Sequence, residues 1–250
     1  MHIIIFLIFL AVPAFAQEVT VFGPGGPAPA MKAAAAEFTK KTGIPVSVTA
    51  GPTDKWSADA ASKGDLIFSG SENMLDNFID KFSLQEIKAL YLRPAAILVR
   101  KGNPKRIKGL TSLFQKDINI MVVQGAGQVG LWEDLVGRTE NVNNINLIRK
   151  NIKFTAKNSA LALAAWKEDA SLDAWIIWNH WHLQNQDISD MVKIEDKYNI
   201  YRATSIGFTS KGLQNEAAKE FYNYLDSPEA EKIFKTFGWQ KKWGRRFLFF

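Results

Sequence analysis

The chain has no cysteine. That absence excludes disulfide staples, a thiolate metal site, a cysteine nucleophile and a lipidated N-terminal Cys. Histidine is nearly as scarce, at three in 250 residues. His180 and His182 are two positions apart and do not share a helical face, and the third, His2, stands in the N-terminal apolar run, so no metal centre is expected. No G-x-S-x-G, H-E-x-x-H or P-loop occurs in the sequence, and no pair among the 25 carboxylates stands out by spacing. The reading is therefore of a non-enzyme, with no catalytic residue and no cofactor. Internal repeats, low-complexity segments and Ser/Gly linkers are absent too, which argues against two bodies joined by a tether.

Long apolar runs are confined to residues 1–16, MHIIIFLIFLAVPAFA. This run is shorter than the roughly 20 residues that span a bilayer, and it ends in Ala14-Phe15-Ala16, the A-x-A pattern of a signal-peptide cleavage site. Residues 1–16 are read as a signal peptide, cleaved after Ala16, and the mature chain as periplasmic, soluble and not membrane-spanning. Acidic residues are outnumbered, 25 against 31 Lys and Arg, for a net charge of +6. Such a balance favours an anionic partner. The basic residues are dispersed, and the one dense cluster is KKWGRR at 241–246, so nucleic acid is not expected as a partner.

From Glu18 on, short β-like runs alternate with amphipathic helical stretches, the pattern of a largely parallel sheet covered by helices. VTVF (19–22), PVSVTA (45–50) and DLIFS (65–69) read as strands. Between the first two, Ala28, Met31, Ala35 and Phe38 share a helical face, and Gly43 with Pro45 ends the helix. A polar helical stretch follows the third strand and precedes an extended run from Ala95 to Arg100. A second set follows: INIMVV (118–123), a helix around 131–136, IKFTA (152–156), a helix from Asn158 to about Asp169, DAWII (173–177), strands near 190–195 and 200–208, and helices around 213–224 and 228–237. Both sets repeat strand, small-residue loop, helix, so an α/β protein of two lobes is expected, with its ligand where strand ends converge.

Several separated motifs occur in one order: VTVFGPGGPAPAMKAAAAEFTKKTG, GDLIFSGSE, LYLRPAAILVRKGNPKRIKGL, QGAG with GLWEDLVGR, EDASLDAWIIWNHW and YRATSIGFTS. The segment LVRKGNPKRIKGLTSLF (98–114) resembles the hinge-strand region of periplasmic solute-binding proteins for sulfate, thiosulfate, phosphate and molybdate. The longer set resembles the accessory colonization factor AcfC branch of that family. The resemblance implies the class II periplasmic-binding-protein fold: two α/β lobes joined by two hinge strands, with lobe 1 at 17–98 and 203–250 and lobe 2 at 99–202. It also implies a small anionic ligand, an oxyanion or a carboxylated or phosphorylated metabolite, and an ABC transporter permease as partner. A homodimer stays open. One departure is visible, since only Gln128-Val129-Gly130 separate the GAG element from the LWED motif, a shorter loop with fewer hydroxyl donors than the branch carries.

Candidate ligand contacts follow from strand ends and helix starts. In the loop at 23–27, Gly25 and Gly26 let a ligand approach unpaired N–H groups at a helix start. Thr53, Lys55 and Trp56 follow the second strand, with a solvated N-cap as the competing role for that turn. Ser69 and Ser71 follow the third, with Ser71 as a plain N-cap the alternative. Tyr91 and Arg93 precede the hinge run, and a guanidinium suits carboxylate or phosphate bidentately, so Arg93 is the leading charged contact. In the second lobe Gln124, Gly125, Ala126, Gly127, Asn158 and Ser159 lie where strands hand over to helices. Asn179 and Arg202 complete the set, and core packing accounts for most of the nearby tryptophans. Two rival functions remain open at this level: a colonization or adhesion factor that keeps the binding-protein fold, and a hydrolase on the same scaffold.

Overall fold

Alternation of strand and helix builds a mixed sheet whose two ends carry helices of different sequence origin. The structure, a computed structural model, describes residues 18–125 and 127–241. The signal-peptide reading of 1–16, the start at Gln17, Ala126 and most of the basic cluster at 241–246 lie outside the described residues. The strands are β1 (Val19–Gly23), β2 (Val46–Ala50), β3 (Leu66–Phe68), β4 (Gln85–Val99), β5 (Ile120–Val123), β6 (Ile152–Ala156), β7 (Ala174–Trp178), β8 (Asp190–Lys193) and β9 (Tyr201–Phe208). The helices are α1 (Ala28–Thr42), α2 (Thr53–Lys63), α3 (Glu72–Phe82), α4 (Leu131–Gly137), α5 (Val142–Asn151), α6 (Ser159–Glu168), α7 (His180–Leu183), α8 (Glu216–Tyr224) and α9 (Pro228–Thr236).

The helix α1 shows how closely local chemistry is followed. Proline in its first turn needs no amide partner there, and Met31, Ala34, Ala35 and Phe38 turn inward. Lys40 and Lys41 occupy the last turn, where the helix dipole favours cations, and Gly43 closes it at φ 77°, a left-handed value that glycine adopts without strain.

The strand order is β2-β1-β3-β9-β4-β7-β5-β6, with β8 against β4. The sheet is not largely parallel, as the alternation predicts. The βαβ units give parallel pairs, β1 with β2 and β3, and β5 with β6 and β7. The centre is antiparallel, because β9 returns between β3 and β4, and β4 meets β7 and β8 head to tail. The strand β4 is also longer than predicted and begins ten residues before Ala95. Its first half breaks the two-residue alternation with register shifts before Lys88 and Tyr91, and Glu86 sits at φ 47°. That irregularity hides a strand from a periodicity argument.

Strand β4 changes partner part-way along. Residues from Gln85 to Pro94 pair with β9, whereas Ala95 to Val99 pair with β7 and β8. The apolar side chains divide at the same place. One core cluster draws only on residues 95 to 200, and the two others on residues 19 to 91 and 206 to 239. Arg93 is therefore planted where the sheet passes from one packed half to the other.

Candidate functional site

The loops that follow β1, β3, β5, β6 and β7 converge on a cavity of about 180 Å³. From the first half come Gly26 with its flanking prolines, Gly70, and Met74 of α3. From the second come Gly125, Gly127 and Gln128 after β5, Asn158 and Ser159 at the start of α6, and His180 and Trp181 of α7. Arg93 of β4 belongs to the wall between them. The chain delivers small residues at strand ends because backbone must approach closely there. A Cβ built on Gly26 would stand 3.1 Å from Arg93 Nη1, and one on Gly127 would stand 3.5 Å from Arg93 Nη2.

Arg93 dominates the electrostatics. Its side chain is buried, and its Nη2 donates to the Gly70 carbonyl oxygen at 2.5 Å. Its guanidinium lies over Trp178 and Trp239, 4.8 and 5.2 Å from the ring centres. Its Nε has no hydrogen-bond partner, and no carboxylate among the described residues pairs with it. Burial, and then the Arg202 guanidinium, push its pKa down to about 9, so at neutral pH it keeps its charge without a protein counter-ion. Cation–π contact offsets part of that cost, and an anion in the cavity would offset more.

His180 is the second unsatisfied group. It is 1 % exposed, with neither ring nitrogen hydrogen-bonded, and stacks on Trp239 at 6.0 Å. Burial, reinforced by the Arg93 charge, holds its pKa well below the ordinary imidazole value, so the ring is neutral. The remaining wall is uncharged, with Pro24, Pro27, Met74 and Trp181 beside the polar Gln128, Asn158 and Ser159. Gln128 Nε2 donates to Ser159 Oγ at 3.1 Å, and Trp178 Nε1 donates to the Gly127 carbonyl at 2.9 Å, fixing the loop.

Of the sequence-predicted contacts, Gly26, Arg93, Gly125, Gly127, Asn158 and Ser159 line this cavity. Asn158 also caps α6, its Oδ1 accepting from Leu161 N. The others are placed elsewhere. Gly25 is exposed one residue away from the wall. Thr53 begins α2 and Lys55 is solvated beside Asp54. Trp56 is core, packed against Phe78 and Phe82, with Nε1 donating to Gly51 O. Tyr91 is also core, stacked on Phe234 at 4.2 Å and donating to Leu225 O. Ser69 Oγ accepts from Ser205 N, and Ser71 caps α3. Gln124 is exposed, its N–H donating to Ala156 O. Asn179 donates to Gly238 O. Arg202 donates to Val129 O at 2.8 Å and pairs with Asp134 at 3.5 Å on the rim.

The residues that sequence reasoning passed over are Gly70, Met74, Gln128, His180 and Trp181. A usable signal existed for the last two. They follow β7 as Gly125 and Gly127 follow β5, and the strand-to-helix rule reaches them once the histidines are no longer weighed only as metal ligands. No group of three or more His, Asp or Glu capable of holding a metal gathers among the described residues.

Residues 19–240 match the family model of the bacterial extracellular solute-binding proteins. The chain belongs to that family. PEB3 from Campylobacter jejuni superposes with a TM-score of 0.80 at 36% identity, over 90% of this chain and 100% of that one. The crystal structure of PEB3 with L-phospholactate bound gives 0.82 at 37%, with the same coverage. The periplasmic molybdate-binding protein of Azotobacter vinelandii gives 0.67 at 14% identity, over 90% and 100% of the two chains, a likeness of fold. No curated protein matches the chain. The architecture of this solute-binding protein is the class II periplasmic-binding-protein fold, and its family and fold neighbours are binding proteins.

Proposed function

We propose that this solute-binding protein captures a small organic anion between two lobes, residues 17–98 with 203–250 and residues 99–202, and hands it to an ABC-type permease after export to the periplasm. The observation that carries the reading is Arg93, a buried guanidinium on the cavity wall with no counter-ion among the described residues. A cavity of about 180 Å³ is below the roughly 300–1,000 Å³ of drug-sized sites, so the ligand is small. Proline rings, Met74 and Trp181 share the wall with the polar groups, which suits an anionic head on a short carbon skeleton better than a bare oxyanion. L-Phospholactate, the ligand of the PEB3 crystal structure, has that chemistry and is the first compound to try. The sequence motifs favour the AcfC branch within the family.

Thermal unfolding tests the reading. A ligand at a hundredfold excess over Kd stabilises the native state by about 2.7 kcal/mol. At this chain length that corresponds to a Tm rise of roughly 5 to 11 °C. L-Phospholactate, sulfate, molybdate and a neutral sugar, compared at matched ionic strength, form the panel. A rise with L-phospholactate supports the proposal, a rise with sulfate or molybdate alone keeps the anion site but overturns the organic skeleton, and a rise with the sugar alone, or with nothing, overturns the anion site itself. Intact mass of the exported protein tests cleavage after Ala16.

A further inference from the structure

His180 stands beside Arg93 on the cavity wall, and its Nε2 and Arg93 Nη1 both lie within 4 Å of the point where a Cβ on Gly26 would stand. A structural role would leave such a ring with a hydrogen bond, because a buried imidazole N–H or lone pair is costly unpaired. Here both ring nitrogens are unpaired and the side chain is 1 % exposed. Its neighbours are chosen for shape rather than hydrogen bonding, with Trp239 on one face and Trp181 adjacent at 5.7 Å. Among the described residues, Arg93 is the charged group that acts on the ring. His182, on the same short helix, contacts Ser189 and feels Asp190 and Lys101 instead. Arg202 faces Asp134.

These facts make an incomplete site. In the empty cavity burial, and then the Arg93 charge, keep the ring neutral. A doubly charged head group reverses the balance, because two negative charges against one guanidinium leave one charge unmatched. We propose that His180 is a second ligand contact and sets the preference of the cavity for a dianionic head group, taking up one proton from solvent as the anion enters. The proton passes from water or buffer to an imidazole nitrogen, no covalent bond of the ligand changes, and the complex closes with two positive charges on two negative ones. A singly charged anion is matched by Arg93 alone and recruits no proton. This deepens the anion-binding reading and rests on it.

Calorimetry of the mature chain tests the inference directly. L-Phospholactate, and separately sulfate, which has no proton to exchange near neutral pH, are titrated at pH 7 in Tris and in imidazole buffer. The difference in heat between the buffers gives protons taken up per ligand. The native chain is expected to take up about one proton more than His180→Gln with the same ligand, a subtraction that removes protons belonging to phospholactate itself. The variant should also lose about ten- to a hundredfold in selectivity for sulfate over nitrate. Histidine-labelled native protein gives a readout that needs no variant to fold. The His180 ring resonances should report neutral imidazole when empty and imidazolium when saturated. Binding with equal proton counts and a ring that stays neutral overturns this inference and leaves the anion-binding proposal standing. Failure of the whole anion panel to bind overturns both.

Discussion

Arg93 and Arg202 stand directly opposite one another on the antiparallel strands β4 and β9. Like charges in facing positions destabilise a sheet, and both guanidiniums lie near the indole of Trp178, at 4.8 and 5.6 Å. Arg202 is relieved by Asp134 and the Val129 carbonyl. Arg93 has no carboxylate partner among the described residues, and substitution can separate its cost to folding from the binding role proposed for it. Arg93→Met should raise the Tm of the ligand-free protein by about 2 to 8 °C, from roughly 1–2 kcal/mol of relieved desolvation and repulsion. The same variant should lose the anion-dependent Tm rise. A variant that is no more stable than the parent, yet binds normally, would contradict both halves.

Neighbouring glycines should behave differently. Gly26→Ala places a methyl 3.1 Å from Arg93 Nη1 and 3.7 Å from His180 Nε2, whereas a methyl on Gly25 finds nothing nearer than Gly51 Cα at 4.0 Å. Isothermal titration with the anion that binds should show Gly26→Ala weakened by about tenfold or more, from crowding worth on the order of 1–3 kcal/mol. Gly25→Ala should titrate like the parent. Equal effects at the two positions would mean that the loop does not meet the ligand through Gly26.

Ser71 is committed to the start of α3, its Oγ accepting from Met74 N at 3.3 Å. Its replacement by alanine should therefore cost about 0.5–2 kcal/mol of stability in urea unfolding. Anion affinity should not change. A loss of affinity without a loss of stability would restore the serine as a ligand contact.

Acid stability should report on Asp226. Burial alone would raise its pKa, but hydrogen bonds from Lys88 and Lys241 outweigh that and hold it below the ordinary carboxylate value. A carboxyl lowered in the folded state binds protons more readily when unfolded, so its contribution is complete above the ordinary value of 3.8 and is lost as pH falls through the lower, native one. At pH 7, Asp226→Asn should destabilise by roughly 0.5–1 kcal/mol, since the pair is partly exposed and screened. The gap between variant and parent should shrink as urea midpoints are followed down to about pH 3.

Much of this arrangement was legible in the sequence, for a physical reason. Strand ends, small-residue loops and helix starts are local signals, so β1 with its Gly-Pro loop, β5 with Gly125 and Gly127, and the Asn158 cap could be read from residue type and spacing. Arg93 stands out because a guanidinium suits carboxylate or phosphate bidentately and the family resemblance places a hinge strand just after it. What escaped depended on tertiary contacts. Tyr91 looks like a cleft residue until α9 brings Phe234 against its ring. Trp56 follows a strand end but is taken into an aromatic cluster with Phe78 and Phe82. His180 reads as a poor metal ligand, and only the fold sets its ring beside a guanidinium. The antiparallel return of β9 could not be read from alternation, because periodicity carries no strand direction.

Leu92 and Gln240 exchange backbone hydrogen bonds of 2.7 and 2.8 Å, and the adjoining Trp239 covers both Arg93 and His180. The two side chains on the cavity wall are thus backed by a residue nearly 150 positions after Arg93 in the chain. A chain stopping before Gly238 would keep all nine described strands and still lack the indole that lies over Arg93 and His180.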